Sequence, residues 1–409
     1  MRALINLPPE ILHMIAGQLC FPFVDRGESR FRDVDEAHNL LRLATLSRLS
    51  KTCKMFCAIA QPELFRFLHT EARLASAVQT LNRRPDLACV VKHLHVELGR
   101  DIEDQDWIAD ATLYDNYLRA SLRSMSNHAI GGDEGDNSGF LPALAVTQVS
   151  NIESLSIEIS HKVPLILQPR SLPYLTELVI HYWDPENGFD VTTLQSLFNA
   201  APSLKVFKVF SADGGEGGSA SSDNIFHPGL TTFELCNSAL RRRCFTAIMN
   251  GFPRLEKFSY ASDWTISSNE GAEATPRDIS ETLHIRSDTL KHLSLNFPLA
   301  DYFEQGQNNV IESLAHMTVL ESIHISCLAV YSSDSPGGGP NGTRLTAFLP
   351  PSIRTLVIYE PHLDITRDLV RLAEVAPASF PLLKTVRFSD IPNNMLAILQ
   401  PAFPASGIQ

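Results

Sequence analysis

The chain has 409 residues, 44% of them apolar, and a formal net charge of −12. That length admits two or three domains or one long repeat array, and the apolar share excludes a mostly disordered chain. The acidic balance argues against general nucleic-acid binding, which relies on Lys and Arg, and no run approaches the roughly 18 apolar residues that span a bilayer.

The first predicted element is LPPEILHMIAGQL at 7–19, with Leu7, Ile11, Ile15 and Leu19 four apart on one helical face and Pro8 and Pro9 suited to its first turn. Glu10, His13 and Gln18 interrupt it and no small-residue cleavage site follows, so it reads as structure and not as a signal peptide. A polar stretch at 20–39 reads as a long loop. LLRLATLSRLSKTCKMFCAIAQPELFRFLH (40–69) then sets Leu43, Leu46, Leu49 and Phe56 at helical spacing. Residues 1–69 are thus expected to form a helical module, with 70–87 a linker helix. The seven cysteines, at 20, 53, 57, 89, 236, 244 and 327, include no CxxC pair. They read as reduced thiols, mostly buried, in a cytoplasmic or nuclear protein.

From residue 88 the character changes. The pattern apolar-x-x-apolar-x-apolar occurs ten times, starting at Val91, Ile152, Leu175, Leu204, Leu230, Leu255, Leu290, Leu320, Ile353 and Leu383. After the first gap the starts lie 23 to 35 residues apart, a period that marks a solenoid. In six copies a proline (173, 202, 228, 253, 351, 381) stands two residues before the first apolar position, where it ends the preceding segment. The fourth and sixth positions share one face of a strand. Each copy offers three apolar groups that it cannot bury alone, and stacking as a parallel sheet hides them. Helix-like runs at 192–201, 244–252, 308–317 and 366–376 alternate with the strands, and an acidic helix is expected at 101–125. Glycine- and serine-rich composition predicts loops at 131–139, 211–223 and 332–342. The expected fold class is α/β: all-α helices at the N-terminus, then a curved solenoid with a parallel sheet over 88–409.

No assembled catalytic set is present in the sequence. GGEGGSA at 214–220 has the glycine spacing of a dinucleotide loop but no helix opens after it, and it reads as a flexible loop. His93 and His95 flank Leu94 and read as solvated strand residues, without the further ligands that a metal needs. Cys53 and Cys57, one helical turn apart, read as core. Asp101, Glu103, Asp104 and Asp106 lack the spacing of a calcium loop. Arg241, Arg242 and Arg243 read as a solvated patch. No enzyme activity, metal or cofactor is expected.

The N-terminal segment resembles an F-box. That family opens with Leu-Pro-x-Glu and two apolar positions, here Leu7, Pro8, Glu10, Ile11 and Leu12, followed by Ile15 and Leu19. It closes with a Leu-rich helix, a Cys before a basic residue, an aromatic and a Leu-aromatic pair, here Leu43, Leu46, Leu49, Cys53, Lys54, Phe56, Leu64 and Phe65. The 20–39 stretch is longer than the family's loop, and Thr52 stands where an apolar residue is usual. The segment that follows, up to KHLHV, is similar to the lead-in of fungal F-box proteins. The repeats resemble leucine-rich repeats but lack the Asn or Cys at the ninth place, where one copy carries Ser238, so the asparagine ladder is expected to be absent.

This resemblance implies a substrate-recognition subunit of an SCF-type cullin-RING ubiquitin ligase. The F-box would dock the Skp adaptor through Leu7, Pro8, Ile11, Leu12, Ile15, Leu19, Leu43, Leu46, Leu49 and Phe56. The concave face of the repeats would hold an unknown protein substrate, with no nucleic-acid or membrane partner. Residues between the apolar strand positions, with their neighbours, are the substrate candidates: His95, Lys208, Glu234, Lys291, His292, His324, Arg354, Lys384 and Arg387. Their order, with Glu153 and Glu177, suggests an acidic early half and a basic late half, able to steer a dipolar partner. The alternatives are a repeat scaffold without ligase coupling, and an enzyme with its site in the loops at 99–140 or 211–229.

Overall fold

The structure, a computed structural model, describes residues 7–19, 32–70, 74–96, 140–159, 167–182, 189–213, 225–262, 274–297, 309–331, 342–361, 365–389 and 391–405. The acidic helix expected at 101–125 and the 131–139 loop lie outside these residues, as do nearly all of the 211–223 and 332–342 loops. The fold is mixed α/β. It opens with α1 (Pro9–Leu19), α2 (Arg32–Ser50), α3 (Lys54–Arg66) and β1 (Phe67–His69). Then come α4 (Leu74–Arg83), α5 (Pro85–Ala88), β2 (His93–Val96), α6 (Phe140–Gln148), β3 (Ser154–Ile159), β4 (Glu177–Tyr182) and β5 (Phe189–Asp190). The chain continues through α7 (Gln195–Ala200), β6 (Val206–Phe210), β7 (Ala212–Asp213), β8 (Thr232–Ser238), α8 (Arg242–Gly251), β9 (Lys257–Ser262) and α9 (Pro276–Leu283). It ends with β10 (His292–Asn296), β11 (Ser322–Ser326), α10 (Cys327–Val330), α11 (Arg344–Phe348), β12 (Thr355–Tyr359), α12 (Thr366–Ser379), β13 (Thr385–Phe388) and α13 (Asn393–Ala405).

Eleven strands belong to one sheet, ordered β1-β2-β3-β4-β6-β8-β9-β10-β11-β12-β13, while β5 and β7 pair separately. Strand order follows chain order throughout. The chain divides within β4 into two compact units, Met1–Leu178 with Asn199–Ser203, and Val179–Phe198 with Leu204–Gln409.

In the first unit, three helices close on a core of Leu12, Ala16, Leu46, Phe56, Ile59 and Ala60. Leu7, Leu19, Leu49, Met55 and Leu64 pack against it, partly buried. Helix α2 begins at Arg32, so the stretch expected as one long loop at 20–39 is helical in its last part. The end of the apolar run is not helical: Phe67, Leu68 and His69 form a strand that pairs in parallel with His93, Leu94 and His95. The helical spacing of the apolar residues up to Arg66 favours a helix, yet the edge of β2 offers Phe67–His69 a ladder of backbone partners, and tertiary pairing wins. β2 in turn pairs with β3 in register, Leu94 opposite Leu155 and Val96 opposite Ile157, all fully buried.

In the second unit the repeat register is explicit. Phe207, Phe233, Phe258, Leu293, Ile323, Leu356 and Val386 lie opposite one another from β6 to β13. Two residues on, Val209, Leu235, Tyr260, Leu295, Ile325, Ile358 and Phe388 form a second row. The first apolar position of every copy is buried, and each of the six prolines before it starts a turn. Helices supply the facing side of this core. Phe207 stacks on Phe233 with ring centroids 5.1 Å apart, and Phe252 meets Phe233 edge-on at 5.4 Å. Phe245 of α8 meets Tyr260 at 5.1 Å, and such pairs add to area burial.

Three copies carry a left-handed residue at the eighth place of the repeat: Ser211 and Glu360 just past their strands and Asn237 within β8, where the register with β9 shifts, with φ of 62°, 49° and 49° for Ser211, Glu360 and Asn237. Only glycine takes this conformation freely. The segment at 309–317 is not the helix its apolar residues suggested. Ile311, Leu314 and Met317 recur every three residues and are buried. The amides of Ile311 and Leu314 bond outward to the carbonyls of Ala329 and Phe348, which replaces a helical ladder. Among the described residues no helix is long and apolar enough to cross a membrane.

Two stability measurements probe this core and its turns. Phe233→Ala empties a site ringed by three aromatic side chains and is expected to cost about 3–5 kcal/mol in denaturant unfolding. Glu360→Gly, at an exposed left-handed position, is expected to raise stability by roughly 0.5–1 kcal/mol.

Candidate functional site

Two surfaces carry the residues singled out from sequence. The first is α1. Its apolar stripe is split: Leu12 and Ala16 are buried in the helical core, whereas Ile11, Met14 and Ile15 face outward. Met14 is 65% exposed, and Leu41 of α2 adds a second large exposed apolar group at 63%. Leu7 and Leu19 are half-buried against the core and Pro8 is exposed. Leu12, Leu46 and Phe56, expected at a docking surface, instead build the module's interior and cannot touch a partner. Leu43 and Leu49 are half-buried. Met14 was missed by a spacing of four, although it stands three residues from Ile11 on the same side.

The second surface is the face of the sheet opposite the helix-packed one. Period-two alternation puts the third, fifth and seventh repeat positions there, and parallel register lines them up. In the second unit the fifth positions run Lys208, Glu234, Ser259, Ser294, His324, Val357 and Arg387, each opposite the next. In the first unit His69, His95 and Ser156 make the corresponding row. Val179, at the same fifth position of its copy, is buried instead.

The expected split into an acidic half and a basic half is not present. Opposite charges meet across neighbouring strands: Lys92 with Glu153 at 2.8 Å, Lys291 with Glu256 at 3.0 Å, and Arg354 with Glu321 at 3.3 Å. Glu234 sits between Lys208 and Lys257 and pairs with both. The repeat places each charge one strand from its opposite, so the pairing is a product of register and each exposed pair contributes at most about 1 kcal/mol. Lys257 and His292 lie opposite each other, both exposed, and His324 and Arg387 follow towards β13. Among the described residues no ion pair reaches His292, His324, Lys384 or Arg387. Burial first, and then the cations Lys257, His292 and Arg387, push the His324 imidazole below its ordinary pKa. Its Nδ1 lies 3.5 Å from the Tyr359 hydroxyl.

His93 and His95 are half-buried, not solvated. His93 stacks on Phe67 at 4.2 Å and His95 meets His69 edge-on at 4.5 Å. Burial lowers the pKa of His93 against the opposing pull of Glu153. Of the described cysteines only Cys244 and Cys327 are buried; Cys53 is exposed and Cys57 half-buried, because α3 turns Phe56 and Ile59 inward instead. Arg242 is engaged, with Asp278 at 3.3 Å and Glu281 at 2.7 Å. Asp368 is buried and accepts from the Tyr331 hydroxyl at 2.8 Å and the Arg344 amide at 2.9 Å, a stitch between segments and not an open site. Among the described residues no group of three His, Cys, Asp or Glu side chains could hold a metal ion. The 214–220 glycines and Asp101, Glu103, Asp104 and Asp106 lie outside the described residues.

No family model matches the chain, and no curated protein matches it.

Folding lowers the pKa of both His93 and His324, so as pH falls the unfolded chain takes up protons before the folded chain does. Their contribution to stability is complete above the ordinary histidine pKa of 6.5 and is lost as pH falls below it. The unfolding midpoint is expected to drop between about pH 7 and pH 5.5, and His93→Gln with His324→Gln to flatten that slope.

Proposed function

We propose that this protein is the substrate-recognition subunit of an SCF-type cullin-RING ubiquitin ligase. In this reading α1–α3 act as an F-box that docks the Skp adaptor. The strands are a curved leucine-rich-repeat-like solenoid whose open sheet face holds a protein substrate. The protein supplies no chemistry of its own; it fixes two partners relative to each other.

One observation carries the reading: a three-helix module with a filled interior still turns Ile11, Met14 and Ile15 outward on α1 and leaves Leu41 exposed on α2. An apolar row of this kind on a short helix suits a partner groove. It falls within the segment whose order Leu7-Pro8-x-Glu10 to Cys53-Lys54 resembles the F-box motif. Within the set named from sequence, Leu7, Pro8, Ile11, Ile15, Leu19, Leu43 and Leu49 remain available for docking, while Leu12, Leu46 and Phe56 hold the module's shape. The unbroken match between strand order and chain order supports a stacked repeat in each unit, since no single βα unit buries its own apolar edge.

The test is reconstitution of the full chain with purified Skp adaptor. A stable complex is expected, with loss of at least about tenfold in affinity for Met14→Glu plus Ile15→Glu, and with the unfolding midpoint unchanged because both side chains lie outside the core. Leu382→Glu, an exposed apolar site in the second unit, should leave binding intact. A wild-type chain that does not bind the adaptor leaves the repeat-scaffold alternative.

A further inference from the structure

We propose that the outer edge of β13 takes up an extended acidic segment of a partner protein as a further parallel strand. This docking edge lies in the second unit, goes beyond the adaptor reading and does not depend on it. A recurring backbone joint points to it. At each step from β6 to β13 the carbonyl at the second place of one copy accepts from the amides at the second and third places of the next. The Lys205 carbonyl accepts from Thr231 and Thr232 at 3.0 and 2.9 Å, and the series continues to Arg354, which accepts from Lys384 and Thr385 at 2.9 and 3.2 Å. The Lys384 carbonyl is the next in line, and among the described residues no amide reaches it. β13 is the last strand of its sheet, with β12 on one side only. A strand edge of this kind presents a row of donors and acceptors that another extended chain fills.

Side chains at the same edge set the chemistry of that chain. Along the second places, Glu256 pairs with Lys291 at 3.0 Å and Glu321 with Arg354 at 3.3 Å. Lys384 follows beside Arg354, whose carboxylate partner is already taken. Lys384 and Arg387 are both exposed, and no ion pair among the described residues reaches either. A carboxylate at the second place of an added strand meets Lys384, and one at the fifth place meets Arg387, as Glu234 meets its lysines within the sheet. The two core rows also lose cover here. Leu356 is 0% exposed and Val386 7%, and Phe388 is half-buried where Ile358 is 2% exposed. Phe403 of α13 closes on Phe388 from the helix side, with ring centroids 6.2 Å apart. Apolar residues at the fourth and sixth places of the added strand complete the cover. The segment therefore reads acidic-x-apolar-acidic-apolar, and about six residues, roughly 20 Å when extended, span the edge.

A second copy of the chain does not meet these requirements. Two β13 edges paired about a twofold axis run antiparallel and set Lys384 and Arg387 against the same residues of the other copy, where like charges repel. The other edge strand, β1, has Arg66 at its second place, because the Lys92 amide bonds to the Arg66 carbonyl. Stacking β1 of another copy on β13 therefore brings Arg66 against Lys384. Both arrangements oppose cation to cation, whereas an acidic segment complements the edge.

The experiment titrates the full-length chain with a fluorescent peptide, acetyl-SETVEVTS-amide, and follows anisotropy without adaptor or ligase. Saturable binding is expected. Lys384→Glu plus Arg387→Glu should weaken it by about tenfold or more, with an unchanged unfolding midpoint because both positions are exposed. Replacing the two glutamates of the peptide by lysines should restore binding to this double variant. Lys205→Glu, an exposed lysine at the second place of an interior copy, should change binding less than about twofold. N-methylation of the peptide at its first glutamate and the threonine after it leaves every charge in place. It removes the two donors meant for the Lys384 carbonyl and should also weaken binding by about tenfold or more. No binding overturns the proposal, as does equal binding of the N-methylated or a scrambled peptide, or an unaffected double variant. A chain that sediments as a dimer and releases monomer as peptide binds assigns the edge to a second copy and overturns the choice of occupant. With no adaptor in the assay, failure here leaves the docking reading of α1 untouched, and loss of adaptor binding leaves this one untouched.

Discussion

The structure depends on one constraint: the apolar side chains at the fourth and sixth repeat positions can leave water only when the next strand lies beside them in parallel register. A single strand with its helix leaves Phe233 or Leu293 open on two sides. Flanked by Phe207 and Phe258, Phe233 becomes fully buried and stacks on a ring 5.1 Å away. Each such residue contributes about 1.5–3 kcal/mol through burial alone, but none of it is available to an isolated copy. Order of strands, length of connections and placement of turns all follow from meeting that requirement copy after copy.

Register has a second consequence, on the opposite face. Once the core rows are aligned, the odd-numbered positions are aligned too, and charges that the sequence scatters over a hundred residues become neighbours. On that face Glu234 is shared by two lysines, and at the second positions, where the strands begin, Lys291 meets Glu256 and Arg354 meets Glu321. The ladder of core side chains therefore decides which surface charges neutralise each other and which stay unmatched. Burial first, and then the field of Lys257, His292 and Arg387, lowers the pKa of His324 on this face.

Buried hydroxyls tie the ends of the strands together. The Ser238 hydroxyl donates to the Cys236 carbonyl and accepts from the Ala212 amide, 2.9 and 3.1 Å away. Ser326 does comparable work between Asn296 and the Phe297 amide, at 2.9 and 2.8 Å. These buried hydroxyls satisfy backbone groups that bent strands would otherwise strand in the core. The N-terminal helices show a different economy: one short helix carries two apolar faces, and only one of them is used by its own fold.

By itself the sequence determined the strands of the ten repeat copies, their spacing and most of their buried positions, because period-two alternation and a recurring proline are local signals that survive any packing. It also marked α1 and the first-turn prolines. It did not determine which apolar residues of α1 point inward, since Ile11 and Leu12 are equally apolar and only the helices packed against them distinguish them. Phe67–His69 read as helix for want of the β2 edge that captures them, and 309–317 read as helix although its amides bond to distant carbonyls. Which charges pair across strands was decided by the tertiary structure alone, because register brings together residues that are far apart along the chain.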